Sequence, residues 1–199
     1  KVIKSKKPLI LSTGLMSTSN IKKILNFIQK SSNKNYLKKK VAILHCVTSY
    51  PVPSKYANIR SVSYIKNKFK ITTGYSDHTI GIDACIASAS LGARIIEKHF
   101  TLNKKHSKFR DHALSADYFD FKKMVKSIRN IEILLGKYSK DIQKIEKPFL
   151  KSARRAIYSA TDLKNNSLIS NNNIDFLRPG PTEIKLSFDN IKGKKTKKF

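Results

Sequence analysis

Four short apolar segments alternate with four helix-like segments over residues 1–136, and this alternation restricts the fold more than any other feature of the chain. The strand-like segments cover residues 8–14, 41–47, 71–75 and 93–100, and the lysine-rich stretch 31–40 is predicted to be a polar loop. Such alternation is typical of a parallel α/β sheet, either open or closed into a barrel. Four strand–helix units are half of an eight-fold barrel. We therefore expect a partial (half) TIM barrel in residues 1–136, with the first half of the barrel missing from the chain.

The chain changes character after residue 136. Residues 137–150 are polar and include Pro148, which is typical of a linker. Residues 151–199 predict a small β-rich domain with a strand at 155–160 and a helix start at 168–173. We expect this domain to be truncated at its lysine-rich end.

Polar residues lie at the carboxyl end of each predicted strand of the first domain or directly after it. They are Ser12, Thr48, Tyr50, Ser76, Asp77, His78, Glu97 and His99. The strands at 71–75 and 93–100 flank an apolar helical segment, and such a unit packs as a right-handed parallel crossover. Because the carboxyl ends of parallel strands lie on one rim, we expect His78 and His99 to meet, with Ser76, Asp77 and Glu97 beside them.

The residue types at this rim suit several kinds of chemistry. Two imidazoles with water and substrate oxygens suit a divalent metal such as Mn²⁺ and do not complete a closed zinc site, but they could equally be hydrogen-bonded rim residues. Ser12 and Ser76 could hold a phosphate or cap helices. Four further residues could contact a ligand or have only a structural role. Tyr50 could wall a sugar or only turn the loop, Asp111 could contact a polyol or cap a helix, and Arg178 could bind a ligand or lie on the surface. His45 could be a metal ligand, but a core position is favoured.

Composition excludes some functions and weakens others. The formal charge is +28, but 34 of the 41 basic residues are Lys and are spread over almost every segment. No nucleic-acid motif accompanies them, so we interpret them as a solvated surface that attracts anionic substrates. No apolar run is long enough to span a membrane. Two cysteines in apolar segments, Cys46 and Cys85, fit a reducing cytoplasm. His106 and His112 are expected to be solvated in a loop.

Four motifs in this order resemble the sialic acid synthase family, which includes legionaminate, pseudaminate and spore-coat polysaccharide synthases. They are Leu11-Ser-Thr-Gly14, Leu44-His-Cys46 with Tyr50-Pro51, Gly74-Tyr-Ser-Asp-His-Thr79 and Glu97-Lys-His-Phe-Thr101. Leu177-Arg-Pro-Gly180 resembles the core of the family's C-terminal antifreeze-like (SAF) domain. The resemblance covers nearly the whole chain.

The resemblance implies a TIM barrel followed by an antifreeze-like domain, and condensation of phosphoenolpyruvate with an N-acetylated hexose such as N-acetylmannosamine. Phosphate is released, and a divalent metal (Mn²⁺ or Mg²⁺) polarises the aldehyde. It implies His78 and His99 as metal ligands and Glu97 as a catalytic acidic residue beside them. Ser12 and Ser76 correspond to phosphoenolpyruvate contacts. The residues that correspond to sugar contacts are Thr48, Tyr50, Asp111 and Arg178. The resemblance also implies a domain-swapped homodimer, in which Arg178 reaches the sugar bound by the partner subunit.

Some positions depart from the family pattern. Thr48 stands where some members have Asn, and Phe109-Arg-Asp-His112 has one more residue than the family's Gly-Pro-Asp-His. Because the other substrate contacts come from the missing half of the barrel, we expect the chain to be inactive alone. Two other classes of function are open, a non-catalytic module that binds carbohydrate or a partner, and a basic nucleic-acid-binding protein.

Overall fold

A computed structural model describes residues 2–107, 110–153, 155–178 and 187–197. It divides into two compact units, residues 1–138 and residues 139–199. The first unit contains a four-stranded sheet in the order β1-β2-β3-β4, and every neighbouring pair is parallel. The strands are β1 (Leu9–Ser12), β2 (Val41–Cys46), β3 (Thr72–Asp77) and β4 (Ile96–Lys98).

Helices connect these strands as the alternation predicts. The helices of the first unit are α1 (Thr18–Ser31), α2 (Lys34–Lys40), α3 (Arg60–Phe69), α4 (Asp83–Ser90), α5 (Arg110–Leu114) and α6 (Tyr118–Leu135). Sequential order in the sheet with helical crossovers confirms the parallel α/β class and is consistent with half of a TIM barrel. Within the described ranges, no helix is both long and apolar enough to cross a membrane.

The helices pack on one face of the sheet. Ile21, Leu25 and Ile28 recur at helical spacing on α1 and bury against Ile43 of β2 and Ile65 of α3. A second apolar cluster joins α4 to α6, where Cys85 and Met124 are buried. Burying one stripe of each helix in this way leaves the other face of the sheet for the polar residues that follow the strands.

The second unit, described by itself, holds a two-stranded antiparallel sheet. Its elements are α7 (Leu150–Ala153), β5 (Ala156–Ser159), β6 (Ile174–Leu177) and α8 (Phe188–Ile191). The strand predicted at 155–160 is confirmed. The helix start predicted at 168–173 is wrong, because Leu168 forms an antiparallel bridge with Lys195 and the Asn173 side chain accepts from the Ser170 N–H in a turn.

Two predictions in the first unit are also corrected. The lysine-rich stretch at 31–40, interpreted as a loop, contains α2. Asn33 caps this helix, Tyr36 is buried and donates to the Lys7 carbonyl at 2.7 Å, and three lysines lie at the end of the helix where positive charge is favoured. His112, predicted as a solvated loop residue, lies in α5 with its Nδ1 2.8 Å from the Thr101 hydroxyl.

Candidate active site

The two faces of the sheet separate the polar residues into two groups. Successive residues of a strand point to opposite faces, so Ser76 and Asp77 cannot share one. The register pairs Ser76 with Glu97 and Asp77 with Lys98. Ser76 and Glu97 lie on the face away from the helices, which we call the open face. Asp77 is fully buried on the helix-covered face, so the prediction that it stands beside the histidine rings is wrong.

His78 and His99 meet on the open face, as predicted. Their ring centroids are 5.2 Å apart and the rings are nearly perpendicular, at 74°. His78 Nδ1 lies 2.9 Å from the Val47 carbonyl oxygen. Because a carbonyl oxygen can only accept, Nδ1 carries the proton, which leaves the Nε2 lone pair of His78 free to bind a ligand.

Tyr50 packs on both imidazoles. Its ring centroid is 4.2 Å from that of His78 and 6.1 Å from that of His99. The Tyr50–Pro51 peptide bond is cis, and the next residue, Val52, donates its N–H to the His78 carbonyl at 2.9 Å. The loop after β2 therefore places an aromatic wall against the histidine pair.

Ser76 and Glu97 form the second polar pair of the open face. The Ser76 hydroxyl donates to Glu97 Oε1 at 2.6 Å, which joins β3 to β4 next to the histidines. Cys46 lies on the same face, with its Sγ 4.0 Å from His78 Nδ1. Burial, together with the nearby Glu97 charge, raises the pKa of the Cys46 thiol above its ordinary value.

Asp111 lies beside the histidine pair, although more loosely. Its Oδ2 is 3.9 Å from His99 Nδ1, and both side chains are partly exposed. The Ala116 N–H donates to the His99 carbonyl at 2.8 Å, so the segment after α5 supports the end of β4. The structure thus brings Tyr50, Ser76, Glu97 and Asp111 around His78 and His99.

Two of the predicted site residues in the first unit lie apart from this group. Ser12 pairs with Leu44 on the far side of β2, and Leu44 pairs with Gly74, so Ser12 is two strands across and two residues along from Ser76, roughly 12 Å at the usual strand spacing. Thr48 is exposed and lines a cavity of about 520 Å³ at the carboxyl ends of β1 and β2, which includes Cys46 but not His78. Arg178 is exposed just after β6, in the second unit.

His45 is a core residue, as favoured from the sequence. Its Nε2 donates to the Ala57 carbonyl at 2.9 Å, and its ring stacks on Tyr75. Burial lowers the pKa of His45 below its ordinary value of 6.5, and the hydrogen bond to Ala57 opposes this only in part. It faces away from His78 and does not belong to the site.

One cluster behind the site was missed from the sequence. Asp77 and Lys98 form an ion pair at 2.8 Å, with side chains that are 0% and 1% exposed. Burial alone would raise the pKa of Asp77, but the hydrogen bonds from Lys98 and from the Thr79 N–H hold this pKa below its usual value. The strand alternation Tyr75-x-Asp77-x-Thr79 is the signal that could have placed Asp77 on the covered face.

The protein side chains at this site supply only some of the ligands that a divalent cation needs. Two imidazoles, one with a free Nε2, leave the remaining positions to water and substrate oxygens, which suits Mn²⁺ better than Mg²⁺, whose preferred ligands are all oxygens. Among the described residues, no group of three or more His, Cys, Asp or Glu side chains could hold a metal. A closed structural zinc site is therefore excluded for this part of the chain.

Comparison with known proteins gives the same family. The NeuB family model matches residues 1–140. N,N'-diacetyllegionaminic acid synthase from Campylobacter jejuni is 34% identical over 194 residues, covering 98% of this chain and 57% of that enzyme. Pseudaminic acid synthase from Helicobacter pylori is 31% identical over 199 residues, covering 100% and 57%.

A solved structure supports the relationship. N-acetylneuraminic acid (sialic acid) synthetase from Leptospira borgpetersenii superposes with a TM-score of 0.67 at 31% identity, covering 74% of this chain and 49% of that one. The chain spans a little over half the length of the two curated relatives named above. A match over residues 1–140, with motifs that meet on one face of the sheet, shows that the chain belongs to the NeuB family of sialic acid synthases.

Proposed function

We propose that this chain supplies one catalytic face of a nonulosonic acid synthase, which condenses phosphoenolpyruvate with an N-acetylated hexose such as N-acetylmannosamine and releases phosphate. The observation that carries the proposal is the convergence of His78 and His99 beside the Ser76–Glu97 pair in a NeuB-family chain. The Nδ1–H tautomer of His78 supports it, because it leaves the Nε2 lone pair free to bind a cation.

The chemistry divides among the residues of the open face. C3 of phosphoenolpyruvate forms a bond to the aldehyde carbon of the open-chain sugar, whose oxygen takes up a proton, and water adds at C2 as phosphate leaves. His78 and His99 would hold Mn²⁺ or Mg²⁺, which supplies Lewis-acid polarisation of the aldehyde. We assign to Glu97 the acceptance of a proton from the reacting water, and the exposure of its side chain supports this role.

Substrate contacts follow from position on the same face. Ser76, whose hydroxyl can turn from Glu97 to a new acceptor, and Ser12 are proposed to contact phosphoenolpyruvate. Tyr50, Thr48 and Asp111 are proposed to contact the sugar. The formal charge of +28 favours the approach of an anionic substrate.

The second unit and the assembly are included in the proposal. We assign residues 151–199 to an antifreeze-like (SAF) domain joined by a linker at 137–150, in which Arg178 reaches the sugar bound by the partner of a domain-swapped homodimer. The exposure of Arg178 at the end of β6 supports this role. Two free thiols, Cys46 and Cys85, favour a cytoplasmic enzyme.

We further propose that the 199-residue chain is inactive alone, since four strands line only half of the active face of an eight-stranded barrel. The test uses this chain and a protein that carries all eight strand–helix units. Phosphate release is measured with Mn²⁺, phosphoenolpyruvate and the N-acetylated hexose together, and with either substrate left out.

We expect release only from the eight-unit protein and only with both substrates. His78→Ala and His99→Ala are expected to abolish it, whereas the control His106→Ala, in an exposed loop, is expected to retain it. Unchanged release in either site variant would exclude the cation role. Sugar binding without any release would instead favour a non-catalytic binding module.

A further inference from the structure

A buried ion pair lies directly behind the two histidines, on the covered face of the same two strands. Lys98 Nζ donates to Asp77 Oδ2 at 2.8 Å. Asp77 precedes His78 in the chain, Lys98 precedes His99, and the register of β3 and β4 pairs Asp77 with Lys98. Each charge is therefore one peptide away from one of the histidines, and the pair joins the two strands at that level.

The ion pair also fixes the turn that follows His78. Asp77 Oδ1 accepts from the Thr79 N–H at 2.8 Å and from the Tyr75 hydroxyl at 3.0 Å. Cys85 Sγ donates to Asp77 Oδ2 at 3.2 Å, and Lys98 Nζ donates to the Thr79 carbonyl oxygen. Both backbone polar groups of Thr79 are thus bonded to the pair, so the chain on either side of His78 is held.

Stability alone gives a poor reason for this arrangement. Removing two charges from water is unfavourable, and an apolar pair of similar volume is often as stable as a buried ion pair or more so. Directional bonds fix geometry in a way that apolar contacts do not. On the open face, the His99 ring contacts the rings of Tyr50 and His78. Its charged neighbour Asp111 is 3.9 Å away and partly exposed, so the directional support for His99 comes from the backbone of β4.

We propose that Asp77 and Lys98 are positioning residues that set the spacing and orientation of His78 and His99 through the backbone of β3 and β4. Neither side chain reaches the open face, so neither is a catalytic residue. The inference about ring geometry is independent of the cation, and only its effect on cation affinity rests on the proposed function.

The decisive test is a cross-strand effect in the 199-residue chain. Asp77→Asn and Lys98→Met are each made, and the imidazole signals are followed by long-range ¹H–¹⁵N NMR. We expect Asp77→Asn to shift the ring signals of His99, and Lys98→Met to shift those of His78, although each variant lies on the other strand. A shift confined to the sequence neighbour of each substituted residue would overturn the proposal.

Thr73→Val provides a matched control, because Thr73 is buried on the same face of β3 and its hydroxyl, which the substitution removes, donates to the Ile71 carbonyl and not to the ion pair. In the Thr73→Val chain, the ring signals of His78 and His99 are expected to match those of the wild type. Shifts in this control as large as those in the charge variants would also overturn the proposal. If the charge variants do not fold, Tyr75→Phe removes one neutral bond to Asp77 and must still shift the His78 and His99 rings. Unchanged rings in a folded Tyr75→Phe chain would contradict the proposal.

The affinity for a cation provides a second test of the positioning role. It is measured by titrating the eight-unit protein with Mn²⁺ alone. Loss of such supporting groups typically weakens binding about 10-fold or more, and we expect this loss for Lys98→Met with Thr73→Val unchanged. If the wild type binds no Mn²⁺ while the cross-strand shifts occur, the proposed cation site fails and the positioning role stands. Wild-type affinity in a folded Lys98→Met protein would overturn the positioning role.

Discussion

Gly74 lies where β3 has no room for a side chain. A Cβ atom at this position would be 2.3 Å from the Ile95 carbonyl oxygen and 2.5 Å from Leu44 Cδ2. Restoring a separation of 3.0 Å from the oxygen requires a movement of 0.7 Å, the difference between 3.0 and 2.3 Å. The same oxygen accepts from the Tyr75 N–H at 2.9 Å, so it cannot move away without straining that bond.

Gly74→Ala is therefore expected to lower the free energy of unfolding by about 3 kcal/mol, from overpacking of about 2 kcal/mol and a weakened hydrogen bond of about 1 kcal/mol. The control is Gly81→Ala, where nothing lies within 4 Å of the new Cβ but φ is +85°. Only the cost of a left-handed backbone applies there, about 1 kcal/mol. Both values come from urea unfolding followed by circular dichroism.

The substitution should also disturb the site, because β3 leads into His78 and β4 leads into His99. Widening these strands is expected to lengthen the 2.6 Å bond between Ser76 and Glu97 and to reduce phosphate release in the eight-unit protein. If Gly74→Ala costs no more than Gly81→Ala, the close contact between β3 and β4 is refuted.

Two further predictions concern the first unit. Ser17→Ala removes the side chain that accepts from the Asn20 N–H at the start of α1, and should cost about 1 kcal/mol in urea unfolding; no measurable cost would contradict the cap. Because burial lowers the folded-state pKa of His45, its stabilising contribution is complete above the unfolded value of 6.5 and is lost as pH falls through the folded value. Unfolding free energy measured from pH 7.5 down to about 5 should therefore fall less steeply for His45→Gln than for wild type; equal slopes would contradict this assignment.

The parallel sheet and the meeting of the histidines could be predicted because they depend on chain order and strand ends. Right-handed crossovers put the ends of β3 and β4 at one rim whatever the details of packing. The motif positions then placed His78 and His99 within contact. Successive side chains of a strand alternate between the two faces of the sheet, which separates Ser76 from Asp77. Applying this rule to each residue would have assigned Asp77 to the covered face.

Other features depend on partners far away in the sequence. The stretch that forms α2 is rich in lysine and was predicted as a loop, but Tyr36 buries against the core and bonds to Lys7, which outweighs a polar composition. Lys98 was not predicted to be buried, since nothing near it in the chain shows that Asp77 is its partner. The distance of Ser12 from Ser76 follows from strand order, which motif spacing does not reveal.

The most direct test of the proposed function is product and label analysis with the eight-unit protein in H₂¹⁸O, supplied with Mn²⁺, phosphoenolpyruvate and the N-acetylated hexose. Addition of water at C2 leaves one ¹⁸O on that carbon, so the proposal predicts a nonulosonic acid heavier than the sum of unlabelled sugar and pyruvate by the difference between one ¹⁸O and one ¹⁶O. It also predicts inorganic phosphate without ¹⁸O, because the C–O bond breaks. Phosphate carrying one ¹⁸O and unchanged sugar would show simple hydrolysis at phosphorus and would contradict the proposed synthase.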